Sequence, residues 1–307
     1  MDEPAAAPPA TRAGFVALIG APNAGKSTLL NALVGAKVSI VSRKVQTTRA
    51  LVRGIALEEG AQIVFVDTPG IFAPRRRLDR AMVTSAWGGA GDADAVCLLV
   101  DARKGLDEEG EAILARLPEL GQPKVLILNK VDVVERGRLL GLAAALNERL
   151  AFRDTFMVSA LTGDGVGDLR RALGAMMPPG PWLYPEDQIS DAPLRMLAAE
   201  ITREKIYERL HDELPYQSTV ETDSWTERPD GSVRIEQTVF VERESQRKIV
   251  LGEGGRTIKA IGQLARREIA EVAEVPAVHL FLFVKVRENW GDDPERYREM
   301  GLEFPRG

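Results

Sequence analysis

The stretch "GAPNAGKST", residues 20–28, lies between the apolar run "FVALI" (15–19) and the amphipathic run "LLNALVG" (29–35). It spells Gly-x-x-x-x-Gly-Lys-Ser with Gly20, Gly25, Lys26 and Ser27. These residue types at this spacing suit a phosphate. The two glycines let the backbone curl around an anion with its N–H groups pointing inward. Lys26 can reach the β- and γ-phosphates, and Ser27 offers a hydroxyl to Mg²⁺. A helix begins behind them, so its N-terminus faces the anion. Ala21, Pro22, Asn23, Ala24 and Thr28 complete the loop. The plain alternative is a glycine turn joining a strand to a helix. Taken alone, the motif suits ATPases, kinases and GTPases equally.

Companion motifs narrow the choice. "DTPGI" (67–71) follows the strand-like run "IVFVD", where Asp67 can serve the Mg²⁺ shell and the Gly70 N–H can meet a γ-phosphate; Thr68 and Pro69 lie between them. "NKVD" follows "VLIL" as Asn129, Lys130, Val131 and Asp132. A carboxylate at Asp132 can accept both N1–H and the 2-amino group of guanine. Adenine offers neither, and a carboxylate buried against it would lose on the order of 1–3 kcal/mol. Asn129 and Lys130 are expected to tie loops together and lie against the base. "SAL", Ser159, Ala160 and Leu161, ends the next strand with backbone N–H groups for the guanine oxygen. Four motifs in this order, each at the C-terminal end of a strand, describe a guanine-nucleotide site.

The organisation agrees. "FVALI", "QIVFVD", "AVCLLVD", "KVLILNK" and "FMVSA" are short, apolar and β-branched-rich, as strands buried on both faces are. Amphipathic stretches follow most of them, which predicts an α/β domain with a mostly parallel sheet and helices on both faces. Only "EEGA" separates "LVRGIAL" from "QIVFVD", too little for a parallel crossover. These two pair antiparallel, so the sheet is mixed. The single cysteine, Cys97, reads as a core thiol and excludes a disulfide scaffold. No apolar run approaches the roughly 20 residues that span a bilayer. The Ala/Pro-rich start lacks the pattern of a signal peptide and is expected to be disordered over residues 1–13. The first domain then covers 14–178, and a linker covers 179–193, within the stretch "MMPPGPWLYPEDQISDAP" that holds five prolines.

Residues 194–290 follow another order, α-β-β-α-α-β. A helix over about 194–210 leads to a hairpin around "ERPDG", a short helix, the loop "GEGG" (252–255), a helix over about 256–273 and the strand "VHLFLFVKV". The loop holds Gly-x-x-Gly as Gly252, Glu253, Gly254 and Gly255, followed by Ile258, Ile261, Ala265 and Ile269 at helical spacing. Between residues 243 and 267 seven basic residues stand against two acidic ones, in a chain of net charge −5. This looks like an α+β type II KH domain, a single-strand RNA binder whose glycines let the backbone clamp about four nucleotides. Lys248, Gly252, Glu253, Gly254, Gly255, Arg256 and Lys259 are the candidate RNA contacts. Glu253 departs from the basic residue common at this place in KH loops. A domain that binds protein instead of RNA is the other reading. His211 and His279, the only histidines, have no partner cluster.

With both domains read, the chain resembles the Era GTPases, a bacterial ribosome-assembly family, over nearly its whole length after the leader. "KVQTTR" (44–49) looks like that family's switch I. Alignment on "TTR" makes Thr48 the Mg²⁺-binding threonine, with Thr47 the second choice, beside Ser27 and Asp67. The first domain is thus identified as a Ras-like P-loop GTPase domain. Related GTPases use an asparagine at the Asn23 position to bind K⁺, with switch I carbonyls completing the shell; loop capping is the alternative for Asn23. Ile71 stands where Ras-like enzymes often place a water-orienting glutamine, which implies slow intrinsic hydrolysis. "RRR" (75–77), in the expected switch II, is either a solvated loop or an RNA contact. The resemblance implies GTP and GDP as ligands with rapid exchange, Mg²⁺ as cofactor, and binding near the 3′ end of 16S rRNA. It further implies assistance to 30S subunit maturation and rRNA processing, and a link to cell-cycle control. A monomer is implied, cytoplasmic with some peripheral association with the inner membrane. Residues 291–307 resemble the family's C-terminal tail. The rival functions are a GTP-regulated protein-binding scaffold and an RNA-modifying enzyme, the latter disfavoured because no further catalytic constellation is found.

Overall fold

Apolar runs buried on both sides build the first sheet of the computed structural model. It describes residues 11–42, 44, 47–211 and 214–305, so the leader up to residue 10 and Arg43, Val45 and Gln46 lie outside the described residues. The strands are β1 (Arg12–Ile19), β2 (Val52–Glu58), β3 (Ala61–Asp67), β4 (Ala95–Asp101), β5 (Lys124–Asn129) and β6 (Asp154–Val158), in the order β2-β3-β1-β4-β5-β6. β3, β1, β4, β5 and β6 run parallel, while β2 pairs antiparallel with β3 across a two-residue turn. The expected reversed strand is therefore present. β1 begins at Arg12, so the last two residues of the expected leader belong to the sheet: the Arg12 and Ala13 N–H groups donate to the carbonyls of Gly60 and Pro178.

Helices α1 (Lys26–Val34) and α5 (Val166–Met176) cover one face with Leu29, Leu30, Leu33, Leu169 and Leu173. Helices α2 (Arg77–Gly91), α3 (Glu108–Arg116) and α4 (Arg136–Arg149) cover the other with Ala86, Trp87, Ile113, Leu114, Leu139 and Leu146. Every residue of β3 and β4 is buried. This two-sided burial is why their sequences run continuously apolar. Cys97 lies among them, and burial pushes its thiol pKa up, so it stays a packing residue.

The proline-rich linker lies along the open edge of β2. The Ile55 N–H donates to the Ile189 carbonyl, Ser190 Oγ donates to the Arg53 carbonyl, and Arg53 pairs with Asp191 at 2.8 Å. A covered edge cannot recruit another strand.

The second domain follows the expected order. It comprises α6 (Leu194–Arg209), β7 (Ser218–Glu227), β8 (Val233–Val241), α7 (Glu244–Leu251), α8 (Arg256–Val272) and β9 (Val278–Val286). The sheet order is β7-β8-β9, antiparallel then parallel. α8 repeats Ile261, Ala265 and Ile269 into the core. The tail forms α9 (Pro294–Glu299) and returns to the first domain, where Tyr297 and Leu302 pack on Ala81 and Met82 of α2. Among the described residues no helix is long and apolar enough to cross a membrane.

Candidate functional site

The turn between β1 and α1 is shaped by close approach. Gly25 has φ +101°, and a Cβ there would stand 2.3 Å from Asn129 Nδ2. A Cβ at Gly20 would stand 2.6 Å from the Leu99 carbonyl of β4. Asn23 sits at φ +63°, a left-handed conformation that asparagine tolerates better than most residues. This is a backbone reason for Asn23 that needs no ion. Lys26 Nζ donates to the Gly20 and Ala21 carbonyls at 2.9 and 3.1 Å. Burial pulls its pKa down to about 8, partly opposed by the Asp67 carboxylate.

Three oxygens meet at the start of α1. Ser27 Oγ donates to Asp67 Oδ2 at 2.6 Å and stands 2.9 Å from Thr48 Oγ1, which is itself 3.4 Å from Asp67 Oδ2. Thr47 turns away, donating to the Lys44 carbonyl at 2.8 Å, so the geometry favours Thr48 over Thr47. Ser39 Oγ also donates to Asp67 Oδ2, at 3.1 Å. Asp67 Oδ1 is buried without a hydrogen-bond partner. A fully buried carboxylate with one orphaned oxygen beside two hydroxyls is a donor set that fits a hard divalent cation. Burial pushes the Asp67 pKa up, against the pull of Lys26 and of its hydroxyl donors. The rest of "DTPGI" closes the floor of the cleft. Thr68 Oγ1 donates to the Leu18 carbonyl, Pro69 and Gly70 are buried against the loop, and the Ile71 N–H donates to the Gly20 carbonyl.

Asn129 joins the base-side loops. Its Nδ2 donates to the Ala24 carbonyl at 2.9 Å, and its Oδ1 accepts from the N–H groups of Lys130 and Ala160 at 2.8 and 3.0 Å. Lys130, at φ +69°, donates through Nζ to the Asn23 carbonyl at 2.6 Å and pairs with Asp101 at 2.7 Å. Asp132 is exposed in the short turn after β5, where a bound base would cover it. One expectation needs correction. The N–H groups of "SAL" are not all open: Ser159 donates to the Asp164 carbonyl, so a guanine oxygen must share Ala160 with Asn129 or use Leu161. Val131 is half-buried beside this turn, and Leu161 is 81% exposed at the rim.

Two members of the site were missed from sequence. Asp101 ends β4, and its position at a strand's C-terminal end was a usable signal. Partial burial raises its pKa, but hydrogen bonds from Arg103 and Lys130 outweigh this and hold the carboxyl well below the usual range. Ser39 follows α1 in an irregular stretch with no motif to mark it.

In the second domain, α7 presents Lys248 and α8 presents Arg256 and Lys259 beside the "GEGG" loop, all exposed. Gly252 has φ +71°, and a Cβ there would strike Thr257; Gly254 and Gly255 are also at positive φ, with open space beside them. Glu253 pairs with Arg256, which offsets the acidic departure noted in the loop. Ile249 and Leu264, 56% and 37% exposed, supply apolar surface on the same two helices. The "RRR" run does not act as one unit. Arg75 and Arg76 give their N–H groups to Asp79, while Arg77 pairs with Asp292 at 3.5 Å and stacks on Phe304 of the tail.

A family model described as "50S ribosome-binding GTPase" matches residues 15–130, and a KH domain model matches residues 213–291. The curated "GTPase Era" of Bradyrhizobium sp. (strain ORS 278) is 74% identical over 297 residues, covering 97% of this chain and 96% of that protein. The "GTPase Era" of Afipia carboxidovorans is 75% identical over 296 residues, covering 96% of each. Among solved structures, an Aquifex aeolicus Era variant bound to GDP.AlF4- superposes with a TM-score of 0.89 at 35% identity, covering 95% of this chain and 99% of that one. Era in complex with MgGDPNP and nucleotides 1506–1542 of 16S ribosomal RNA gives the same TM-score, identity and coverage.

Proposed function

The chain belongs to the Era family of GTPases, and from that premise we propose that it couples GTP hydrolysis at the β1–α1 loop to binding of the 3′ end of 16S rRNA by its KH domain. It is a GTPase. The observation that carries the assignment of the site is the meeting of Ser27, Thr48 and Asp67 beside the phosphate loop. Ser27 and Thr48 would hold Mg²⁺ with Asp67 behind them. When bound, the ion neutralises charge on the phosphate oxygens. Lys26 and the loop N–H groups position the triphosphate, and Asp132 selects guanine by accepting its two donors. Ile71 cannot orient water by hydrogen bonding, so its buried side chain leaves positioning to the backbone around Gly70. Slow intrinsic turnover is part of this reading. K⁺ held by Asn23 and switch I carbonyls is a further part of it.

On the RNA side, "GEGG" is supported as a phosphate clamp by its positive-φ glycines and by the basic residues flanking it. Assistance to 30S subunit maturation, a cytoplasmic site and a peripheral link to the inner membrane rest on family membership alone. The experiment is a phosphate-release assay with GTP against ATP, in K⁺ and in Na⁺, alongside a titration of 16S nucleotides 1506–1542. Hydrolysis of GTP alone, faster in K⁺, and an RNA affinity that falls steeply with salt are expected. Salt-insensitive or absent RNA binding would move the second domain to a protein-binding role. Equal rates in K⁺ and Na⁺ would remove the ion from Asn23.

A further inference from the structure

Strand β9 reads "VHLFLFVKV", and its alternation divides it between two faces. Leu280, Leu282 and Val284 pack into the domain core under the helices. His279, Phe281, Phe283 and Lys285 face the opposite side, where Phe281 and Phe283 are 45% and 48% exposed. Two phenyl rings on one edge strand, half in water, are a feature that strands ordinarily avoid. Cationic groups flank them. Arg234 of β8 lies over the Phe281 ring at 4.9 Å and pairs with Glu236 of its own strand, and Lys285 follows Phe283 on the same face.

We propose that this outer face of β8 and β9 is a second contact surface for single-stranded RNA, on which Phe281 and Phe283 each stack one base. The inference rests on the reading that "GEGG" clamps RNA. β9 belongs to both surfaces, because Leu282 lies against Gly262 of α8 on the clamp side while its neighbours carry the rings. An RNA strand leaving the clamp needs only to pass the edge of β9 to reach them. The rings are about 7 Å apart along the strand. That is roughly twice the 3.4 Å rise per nucleotide in a duplex strand, so the spacing suits splayed bases. Aromatic faces accept any base, and the exposed Lys285 ammonium on the same face adds a cation for the backbone. Pairing with another protein strand is less well served. The Val284 carbonyl on this edge already accepts from Arg247 Nε at 3.1 Å, so an added strand would meet the α7 side chain there.

The test uses the full chain with Phe281→Ala and Phe283→Ala together, titrated with 16S nucleotides 1506–1542 and with tetranucleotides tiled across that segment. The long RNA should bind tenfold or more weakly to the variant, while tetranucleotide affinity, GTP turnover and thermal unfolding stay unchanged. Phe281→Tyr with Phe283→Tyr should restore the loss, and Phe281→Leu with Phe283→Leu should not. Undiminished affinity of the alanine variant for the long RNA overturns the proposal, as does full rescue by leucine, which keeps apolar area without a π-face. An unchanged RNA affinity with altered sedimentation would make the face a protein interface and likewise overturn it. Failure of every RNA to bind the parent protein would instead sink the clamp reading itself.

Discussion

Asp132 and Asp101 divide the labour on the base side. Asp132 is exposed, and in the proposed reading its chemistry is selection of the base. Asp132→Asn replaces two acceptors with an amide, which suits the N1–H and C2 oxygen of xanthine. Binding measured with GTP and XTP should shift in favour of XTP, and an unchanged preference would remove Asp132 from the base. Asp101 acts one step back, holding Lys130 across the loop. Its lowered pKa means that its contribution to stability is present above the ordinary carboxylate value and is lost only as pH falls toward the folded one. Asp101→Asn should speed release of a fluorescent GDP about tenfold, roughly 1.4 kcal/mol, since the ammonium loses its charged partner. A dissociation rate equal to that of the parent would show Lys130 to be positioned by the Asn23 carbonyl alone.

The "GEGG" loop is an element whose work depends on backbone access. α7 ends and α8 begins within a few residues, so free N–H groups of α8 stand at the turn. Beside Gly254 there is open space, which a phosphate could occupy and a side chain would fill. Changing Glu253→Asp with Gly254→Asp keeps the existing charge, adds another and adds a Cβ. Aspartate tolerates the left-handed conformation, so folding survives. RNA affinity should drop about tenfold, near 1.4 kcal/mol, while GTP affinity holds because the nucleotide site lies in the other domain. Equal RNA titration curves for parent and variant would count against the clamp.

At the scale of the molecule, the second domain grips both segments that border the nucleotide site. The stretch 37–49, which ends in the expected switch I, is held at several points. Lys37 pairs with Glu204 and Glu268, the Val41 N–H donates to Glu204, and Arg203 donates to the Thr47 carbonyl. Arg49, 5% exposed, donates to the Ser218 carbonyl at 2.9 Å and to Tyr207 at 3.2 Å. Meanwhile the tail packs on α2 through Tyr297 and Leu302. Nucleotide-dependent movement of Thr48 would therefore have to work against α6. Glu204→Ala leaves the Val41 N–H without its acceptor; Lys37 then keeps Glu268, and Lys205 keeps Glu268 and Glu208. It should cost about 3 kcal/mol, the lower end for a broken buried pair, because Glu268 remains. Urea unfolding reads the loss, and limited trypsin digestion should cut between residues 37 and 49 sooner. An unchanged midpoint with unchanged cleavage would mean that switch I is held elsewhere.

The sequence by itself determined what depends on local order. The Gly-x-x-x-x-Gly-Lys-Ser turn, the strand-ending "DTPG" and "NKVD", the reversed β2 and the α-β-β-α-α-β order are all set by spacing and by which residues tolerate which backbone. Each could be read because a short stretch carries its own constraint. Tertiary structure alone decided what depends on distant meetings. It turned Thr48 toward Ser27 and Asp67 and left Thr47 on a local carbonyl. Ser39 entered the site this way, and the tail came down on α2 across more than 200 residues of chain. Side chains so far apart in sequence meet only when strands or domains pack, and a part-buried ion pair such as Lys37 with Glu204 has no periodicity to announce it. A charge can be read along a chain, but its partner is chosen by the fold that removes both from water.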